Sequence, residues 1–161
     1  MDRALLEAYE AGGSKLRQAV VNLTREDLLA KPPADWNAGA WSIQQVIMHL
    51  ADGEGVFADR MKWVIAEDNP PLVGFAENKW ADALAYEDRS AADAVELIDL
   101  TRKQMASILK RLPESAFARA GAHSESGRVT LTDLLTKAVK HFDHHLKFIH
   151  AKRIKMGKEM W

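Results

Sequence analysis

The sequence contains no cysteine, which excludes disulfides, thiolate metal sites and cysteine nucleophiles together. It also lacks a surplus of either charge, because 22 Lys and Arg stand against 23 Asp and Glu and leave a formal net charge of -1. A nucleic-acid-binding domain typically has a basic patch, so this balance argues against DNA or RNA as a partner. Six histidines remain as the best candidates for metal ligands.

Long hydrophobic runs are missing as well. No apolar stretch approaches the roughly 18 residues that a membrane-spanning helix needs, and acidic residues stand near the start where a signal peptide has an apolar run. We therefore expect a cytoplasmic protein with no membrane partner. Of its 161 residues, 47% are apolar and 28% are charged, which is the balance of an ordinary globular protein. Without repeats or low-complexity tracts, the chain is expected to form one domain over residues 1–161.

Four segments show the periodicity of amphipathic helices, and none shows the sustained alternation of a strand. The sequence therefore predicts an all-α protein. The first segment covers about residues 2–23 and is weakened in its middle by Gly12 and Gly13, after which Thr24 restarts the chain with a capping signal. The third begins at Ser90 and ends at Pro113.

The second and fourth predicted helices have the clearest starting points. Ser42 is followed three residues later by Gln45, and Thr130 is followed in the same way by Asp133, which is the spacing of a capping box. At about 26 residues each, these helices would be about 39 Å long. A basic run near the end of the fourth helix, which includes Lys152, is expected to complement the helix dipole.

The connection between the second and third helices covers about residues 69–89 and contains a short helical segment near Asn78–Ala85. It is too long for a turn between adjacent antiparallel helices. Extended chain of roughly 12 residues already spans 39 Å, so this connection can cross the length of a bundle. We expect a four-helix bundle with a long crossover between helices two and three, an architecture in which metal sites lie between facing helices.

Two histidines share one face of the fourth predicted helix. His141 and His145 lie about 40° apart around the helix axis, on the face that also carries Ala138. His49 flanks the apolar stripe of the second helix and can approach this pair from the opposite wall. Three neutral imidazoles would bind zinc, nickel or another first-row dication and leave a position for water or substrate. The alternative is that each is a core or rim histidine with hydrogen-bonded nitrogens.

Asp52 and Glu54 closely follow His49 and are the candidates for a catalytic role, as a proton carrier or as an acceptor behind a metal ligand. Carboxylates at this spacing also occur on solvated helix faces, so that alternative stays open.

Several short segments, in the same order over nearly the whole chain, together resemble the DinB / YfiT-like superfamily of proposed metalloenzymes: Trp41-Ser42, His49-Leu50-Ala51-Asp52-Gly53-Glu54, Gly127-Arg128-Val129-Thr130-Leu131 and His141-Phe142-Asp143-His144-His145. The resemblance implies a four-helix bundle of up-down-down-up topology. It also implies metal ligands at His49, His141 and His145, with His144 left out. The family's usual Gln after the His-His pair is missing from Leu146–Ile149, which concerns the substrate side of the site.

Characterised members of that superfamily include bacillithiol- or mycothiol-dependent S-transferases and a mycothiol-dependent maleylpyruvate isomerase. The resemblance thus implies a divalent metal, nickel or zinc, that binds a low-molecular-weight thiol and presents its thiolate to a small electrophilic substrate. We expect a metal-dependent thiol transferase or isomerase. The alternatives are a non-catalytic metal- or ligand-binding homodimer and a structural homodimeric bundle with an empty site.

Overall fold

The computed structural model describes residues 2–159. Within this range the chain forms the following α-helices: α1 (Arg3–Glu10), α2 (Gly12–Ala19), α3 (Arg25–Leu29), α4 (Ile43–Ala66), α5 (Glu77–Ala83), α6 (Ala91–Leu109) and α7 (Leu131–Lys155). Three short strands complete the fold: β1 (Pro71–Leu72), β2 (Ala120–His123) and β3 (Gly127–Thr130).

The helices pack as a four-helix bundle. Helix α4 packs against both α6 and α7, while α1 and α2 share the fourth position and pack against the same two helices. This arrangement confirms the predicted helical bundle, whereas the up-down-down-up order of the helices stays a prediction. The single-domain prediction includes Met1, Met160 and Trp161, which lie outside the described residues.

The predicted starts of the two longest helices are confirmed in atomic detail. At α4, the Ser42 hydroxyl accepts from the Gln45 N–H at 3.2 Å and the Gln45 side chain accepts from the Ser42 N–H at 3.0 Å. At α7, Thr130 and Asp133 form the same reciprocal pair. These contacts satisfy backbone donors that the first turn of a helix cannot pair internally. Local sequence therefore sets where both site-bearing helices begin.

The prediction of one continuous first helix is wrong. The helix breaks at Ala11 into α1 and α2, and Gly12 and Gly13 follow the break. Both glycines are buried against α6, where an added Cβ at Gly13 would lie 2.7 Å from the Asp99 Cα. The absence of side chains thus allows α2 and α6 to approach each other closely, which a reading of helix propensity alone does not reveal.

The prediction of an all-α protein is right for most of the chain but needs one correction, because segments connecting the helices form a three-stranded sheet. Strand β1, within the long connection between α4 and α6, pairs in parallel with β2, with Pro71 opposite Ala122. Strand β2 pairs antiparallel with β3, and Gly121 lies opposite Val129. These strands of two to four residues are too short to display the alternation that identifies strands in a sequence. The short helix expected in the same connection is present as α5.

Two hydrophobic clusters fill the bundle. Along α7 the buried residues belong to one cluster up to Val139 and to the other from Phe142 onward. Along α4 the change of cluster falls between Ala51 and Ala58. His141 on α7 and Glu54 on α4 lie at this change, so polar side chains occupy the level where the two clusters meet. Over residues 2–159, no helix is long and apolar enough to cross a membrane.

Candidate metal centre

His49 from α4 meets His141 and His145 from α7 inside the bundle. The Nε2 atoms of His49 and His141 are 2.8 Å apart, and the three ring centroids lie 4.5, 4.6 and 4.8 Å from one another. One nitrogen from each ring can be chosen so that all lie within 4.8 Å of one another. The predicted convergence of these imidazoles is therefore confirmed, and we call the three residues the His triad.

The two helices bring the His triad together by different means. On α7 the four-residue spacing places His141 and His145 on neighbouring turns of one face. On α4 His49 has an exposed fraction of 0%, and Gly53 follows one turn later. A Cβ added at Gly53 would lie 3.4 Å from the Cε1 atom of His141. The lack of a side chain at this position thus leaves room for the imidazole that faces it.

The dimensions of the His triad fit one small cation. A tetrahedral zinc ion with Zn–N bonds of 2.0–2.1 Å holds its ligand nitrogens about 3.4 Å apart. The closest nitrogens of the triad are 2.8 Å apart and all three lie within 4.8 Å. Three imidazole nitrogens also form a donor set that suits zinc, nickel and copper. The residues present therefore fit a first-row dication.

The triad is held in its neutral form, which is the form that binds metals. Burial, together with a neighbouring imidazole, lowers the pKa of His49 to about 4 and that of His141 to about 4. The same causes lower the pKa of His145 to about 3. Each ring therefore has one unprotonated nitrogen at neutral pH, whose lone pair can bind a cation.

The alternative of ordinary core histidines requires that their nitrogens be hydrogen-bonded, and two of them are not. The buried Nδ1 atoms of His49 and His145 have no partner among the described residues. A buried polar atom without a partner costs stability, and proteins keep few of them outside functional sites. The unpaired nitrogens thus argue against fully hydrogen-bonded core histidines. Arg60 and Arg153 also have such atoms, so the case for a binding site depends on the convergence of the three rings.

Aromatic side chains surround the His triad. The Trp41 ring lies 5.1 Å from His49 and the Phe57 ring lies 5.7 Å from His141, measured between ring centroids. Phe75 and Phe148 approach His49 and His145 at 6.3 and 6.1 Å. Such a setting limits the access of water and strengthens electrostatic interactions with any bound charge. His144, as expected, is exposed and lies outside the triad.

The two candidate carboxylates are engaged in ion pairs. Asp52 accepts from both terminal nitrogens of Arg89, at 2.8 and 2.9 Å. Glu54 is buried and accepts from the Tyr9 hydroxyl and from Arg102 Nε, the latter at 2.7 Å. A catalytic role for Asp52 or Glu54 stays a prediction.

Sequence reasoning missed the position of Lys152. The expectation that it belongs to a basic run complementing the helix dipole stays a prediction, but that expectation does not include the burial of Lys152, whose exposed fraction is 2%. Its ammonium donates to the carbonyl oxygen of Ala38. Its spacing could have revealed this position, because Lys152 follows His145 by seven residues and so lies on the same face of α7.

A cavity of about 210 Å³ lies beside the triad. Its lining includes Trp41 and Asn78, together with His145, Phe148 and Lys152 of α7. The cavity therefore offers space for a small molecule next to one of the candidate ligands.

The fold and the triad define a class of helical bundle in which histidines from two facing helices converge. The chain belongs to the DinB superfamily, whose sequence profile matches residues 8–149. This finding confirms the resemblance noted in the sequence.

Relatives in this family carry names that propose a metal-dependent hydrolase. The protein OB0782 of Oceanobacillus iheyensis is 30% identical over 134 residues, which make up 83% of this chain and 75% of that protein. YfiT of Bacillus subtilis is 25% identical over 153 residues, or 94% of this chain and 84% of that protein.

Two solved structures resemble the fold. YfiT of Bacillus subtilis, described as having an unusual four-helix bundle topology, superposes with a TM-score of 0.86 at 24% identity, over 96% of this chain and 86% of that one. A mycothiol-dependent maleylpyruvate isomerase gives a TM-score of 0.70 at 13% identity and covers 91% of this chain, which spans 59% of that longer chain. The fold is therefore a YfiT-like four-helix bundle with a small sheet.

Proposed function

We propose that the protein is a metal-dependent enzyme in which His49, His141 and His145 hold one divalent cation, zinc or nickel. The reaction proposed is the attack of a low-molecular-weight thiol on a small electrophile, as in an S-transferase or an isomerase that works through a thiol adduct. The observation that carries this proposal is the convergence of three neutral, partly unpartnered imidazoles beside a cavity. The names of the relatives, which propose a metal-dependent enzyme, support it.

His49, His141 and His145 would hold the cation, which would supply a Lewis acid that lowers the pKa of a bound water or thiol. The protein's own residues supply the rest of the setting. The low pKa values of the His triad keep protons from competing for the lone pairs. The rings of Trp41 and Phe148 line the adjoining cavity and reduce the access of water to a reacting thiolate.

The pairing of the nearby carboxylates favours a thiol over water as the nucleophile. A hydrolase gains from a carboxylate that takes a proton from the attacking water. Here Asp52 is bound to Arg89, and Glu54 is bound to Arg102 and Tyr9. A bound cation would lower the pKa of either nucleophile, but a thiol starts from a pKa of about 8.5 rather than about 15.7 and so needs such a base less than water does. The structural likeness to a mycothiol-dependent isomerase supports the same choice, whereas the names of the sequence relatives favour hydrolysis as the second candidate.

The metal content of the protein tests the proposal most directly. Protein purified without an affinity tag and analysed by elemental analysis should contain about one first-row metal ion per chain. The variant His145→Ala should lose most of that metal, because it removes one of three ligands. The matched control is His144→Ala, which changes an exposed neighbour and should keep the metal. Metal-free wild-type protein after growth with zinc and nickel would contradict the proposal.

A turnover assay then separates the two reactions. Bacillithiol or mycothiol is combined with 1-chloro-2,4-dinitrobenzene to detect thiol transfer, and p-nitrophenyl acetate without thiol detects hydrolysis. We expect the first reaction to require the metal and to stop after chelation. Ester hydrolysis without any thiol would instead favour the second candidate, and metal retention with neither reaction would favour the non-catalytic bundle. The homodimer and the cytoplasmic location stay predictions beside this one.

A further inference from the structure

The face of α7 that carries the His triad continues past it. His145, Phe148 and Lys152 follow one another at steps of three and four residues, so they form one stripe along the helix. Lys152 lies about 10.5 Å beyond His145 along the helix axis. Both residues line the same cavity, and Phe148 lies between them on its wall. One end of the cavity is thus a candidate metal ligand and the other is a cation.

The ammonium group of Lys152 has no carboxylate within ion-pair distance among residues 2–159. Its recorded partners are the Ala38 carbonyl oxygen and the ring of Phe148, whose centroid lies 5.4 Å away. An ammonium has three donors, so the hydrogen bond to Ala38 leaves two of them for another acceptor. Burial lowers the pKa of Lys152 to about 8, so most of the group is charged at pH 7.

A buried charge without a counter-ion is costly, and proteins normally pair it. Three other cations are buried among the described residues: Arg102 is paired with Glu54, whereas Arg60 and Arg153 donate to backbone carbonyls. Lys152 also donates to a carbonyl, but it lines a cavity that has space for a ligand. The cation and the space beside it together indicate an anionic ligand.

We infer that this cavity binds the carboxylate of a small organic acid, which accepts hydrogen bonds from Lys152 while an apolar part of the same molecule packs on Trp41 and Phe148. The carboxylate is expected at the Lys152 end, because the buried ammonium attracts it there, whereas Glu77, the acidic residue that also lines the cavity, is exposed. The molecule's other end then lies beside His145. The placement beside His145 rests on the proposed function, because it makes the organic acid either the substrate or the thiol of the proposed reaction.

Phenylacetate and phenylacetamide form a matched pair of probes, since they differ in charge but hardly in shape. Their dissociation constants are measured by calorimetry or by tryptophan fluorescence on metal-free protein, prepared with a chelator, so that no cation can bind the carboxylate. Wild-type protein should bind phenylacetate at least about 10-fold more tightly than phenylacetamide, the effect of a charge-assisted hydrogen bond. Equal affinity for the two probes, or no binding of either at millimolar concentration, would overturn the inference.

The variant Lys152→Met tests the source of that preference. Its affinities for phenylacetate and phenylacetamide should differ by no more than about twofold. The control is Lys155→Met, an exposed lysine near the end of the same helix, which should keep the full preference. A preference that persists in Lys152→Met would rule out this lysine as the anion site. Lys152→Gln provides a second variant, because it keeps a donor for Ala38 but removes the charge, and it decides the matter if Lys152→Met does not fold. Since all of these measurements use metal-free protein, they stand apart from the metal assay.

Discussion

Two buried polar clusters lie five residues apart on α4, and they differ in how completely they are paired. His49 belongs to the His triad, in which two buried Nδ1 atoms lack a protein partner. Glu54 belongs to a second cluster, in which its carboxylate accepts from both Tyr9 and Arg102. The first cluster keeps nitrogens without a protein partner, whereas the charges of the second cluster are paired with each other. The comparison separates a buried cluster whose charges are paired from one that keeps unpaired nitrogens beside a cavity, which is the arrangement that a binding site needs.

The paired cluster connects four helices. Arg102 on α6 binds Glu54 of α4 and also donates from Nη1 to the Tyr9 carbonyl of α1 at 2.9 Å. Its guanidinium lies 3.9 Å from the centroid of the Phe142 ring on α7. Burial, and then Glu54, raise the pKa of the Tyr9 hydroxyl, which therefore stays protonated and donates to the carboxylate. This arrangement stabilises the bundle next to the His triad.

The largest effect is expected from breaking the paired cluster. Arg102→Met should lower the free energy of unfolding by about 3–5 kcal/mol, because it leaves the Glu54 carboxylate buried without a counter-ion. Urea denaturation measures the change. The double variant Arg102→Met with Glu54→Gln should recover part of the loss, since the unpaired charge is then removed. A loss below about 1 kcal/mol in the single variant would contradict the view that the ion pair of Arg102 and Glu54 is a buried, fully paired cluster.

A smaller effect is expected where the chain makes room for that arginine. A Cβ added at Gly12 would lie 2.0 Å from Arg102 Nη1, so Gly12→Ala should displace the guanidinium and cost about 1–3 kcal/mol. The control is Gly55→Ala on the exposed side of α4, where an added Cβ meets no atom within 4 Å. That change should stabilise the protein by up to about 1 kcal/mol through helix propensity. Equal effects of the two changes in thermal or urea unfolding would contradict the predicted clash.

The smallest effect on stability is expected from a change in the His triad. In metal-free protein at pH 7, His49→Leu should change the free energy of unfolding by no more than about 1 kcal/mol, because it replaces an incompletely paired group by an apolar one. Its effect on pH dependence should be clearer. In the wild type the folded-state pKa of His49 is about 4, below the ordinary value of about 6.5.

Between these two values the unfolded chain binds a proton at His49 that the folded protein does not, so stability falls as the pH falls from about 6.5 to about 4. His49→Leu should show a smaller decline over this range in urea denaturation at a series of pH values. A decline as steep as that of the wild type would show that His49 does not titrate as its burial implies.

Much of the bundle and part of the site were predictable from local patterns. The capping boxes at Ser42 and Thr130 give the starts of α4 and α7, and the four-residue spacing of His141 and His145 gives their shared face. The break at Ala11 and the short strands were not predictable in this way. Both depend on contacts between distant segments, such as the packing of Gly13 against Asp99 or the pairing of Pro71 with Ala122. Periodicity carries no information about such contacts.

By itself the sequence determined the chemistry that is available, because the lack of cysteine leaves histidine as the best ligand for a first-row metal and helical spacing aligns two of them. The tertiary structure alone decided which polar residues are satisfied. Glu54 meets Arg102 across 48 positions of the chain, whereas the Nδ1 of His49 and the charge of Lys152 find no such partner among the described residues. The physical reason is that a charge or a lone pair needs a partner within about 3 Å. Which groups come that close is set by the packing of the whole fold.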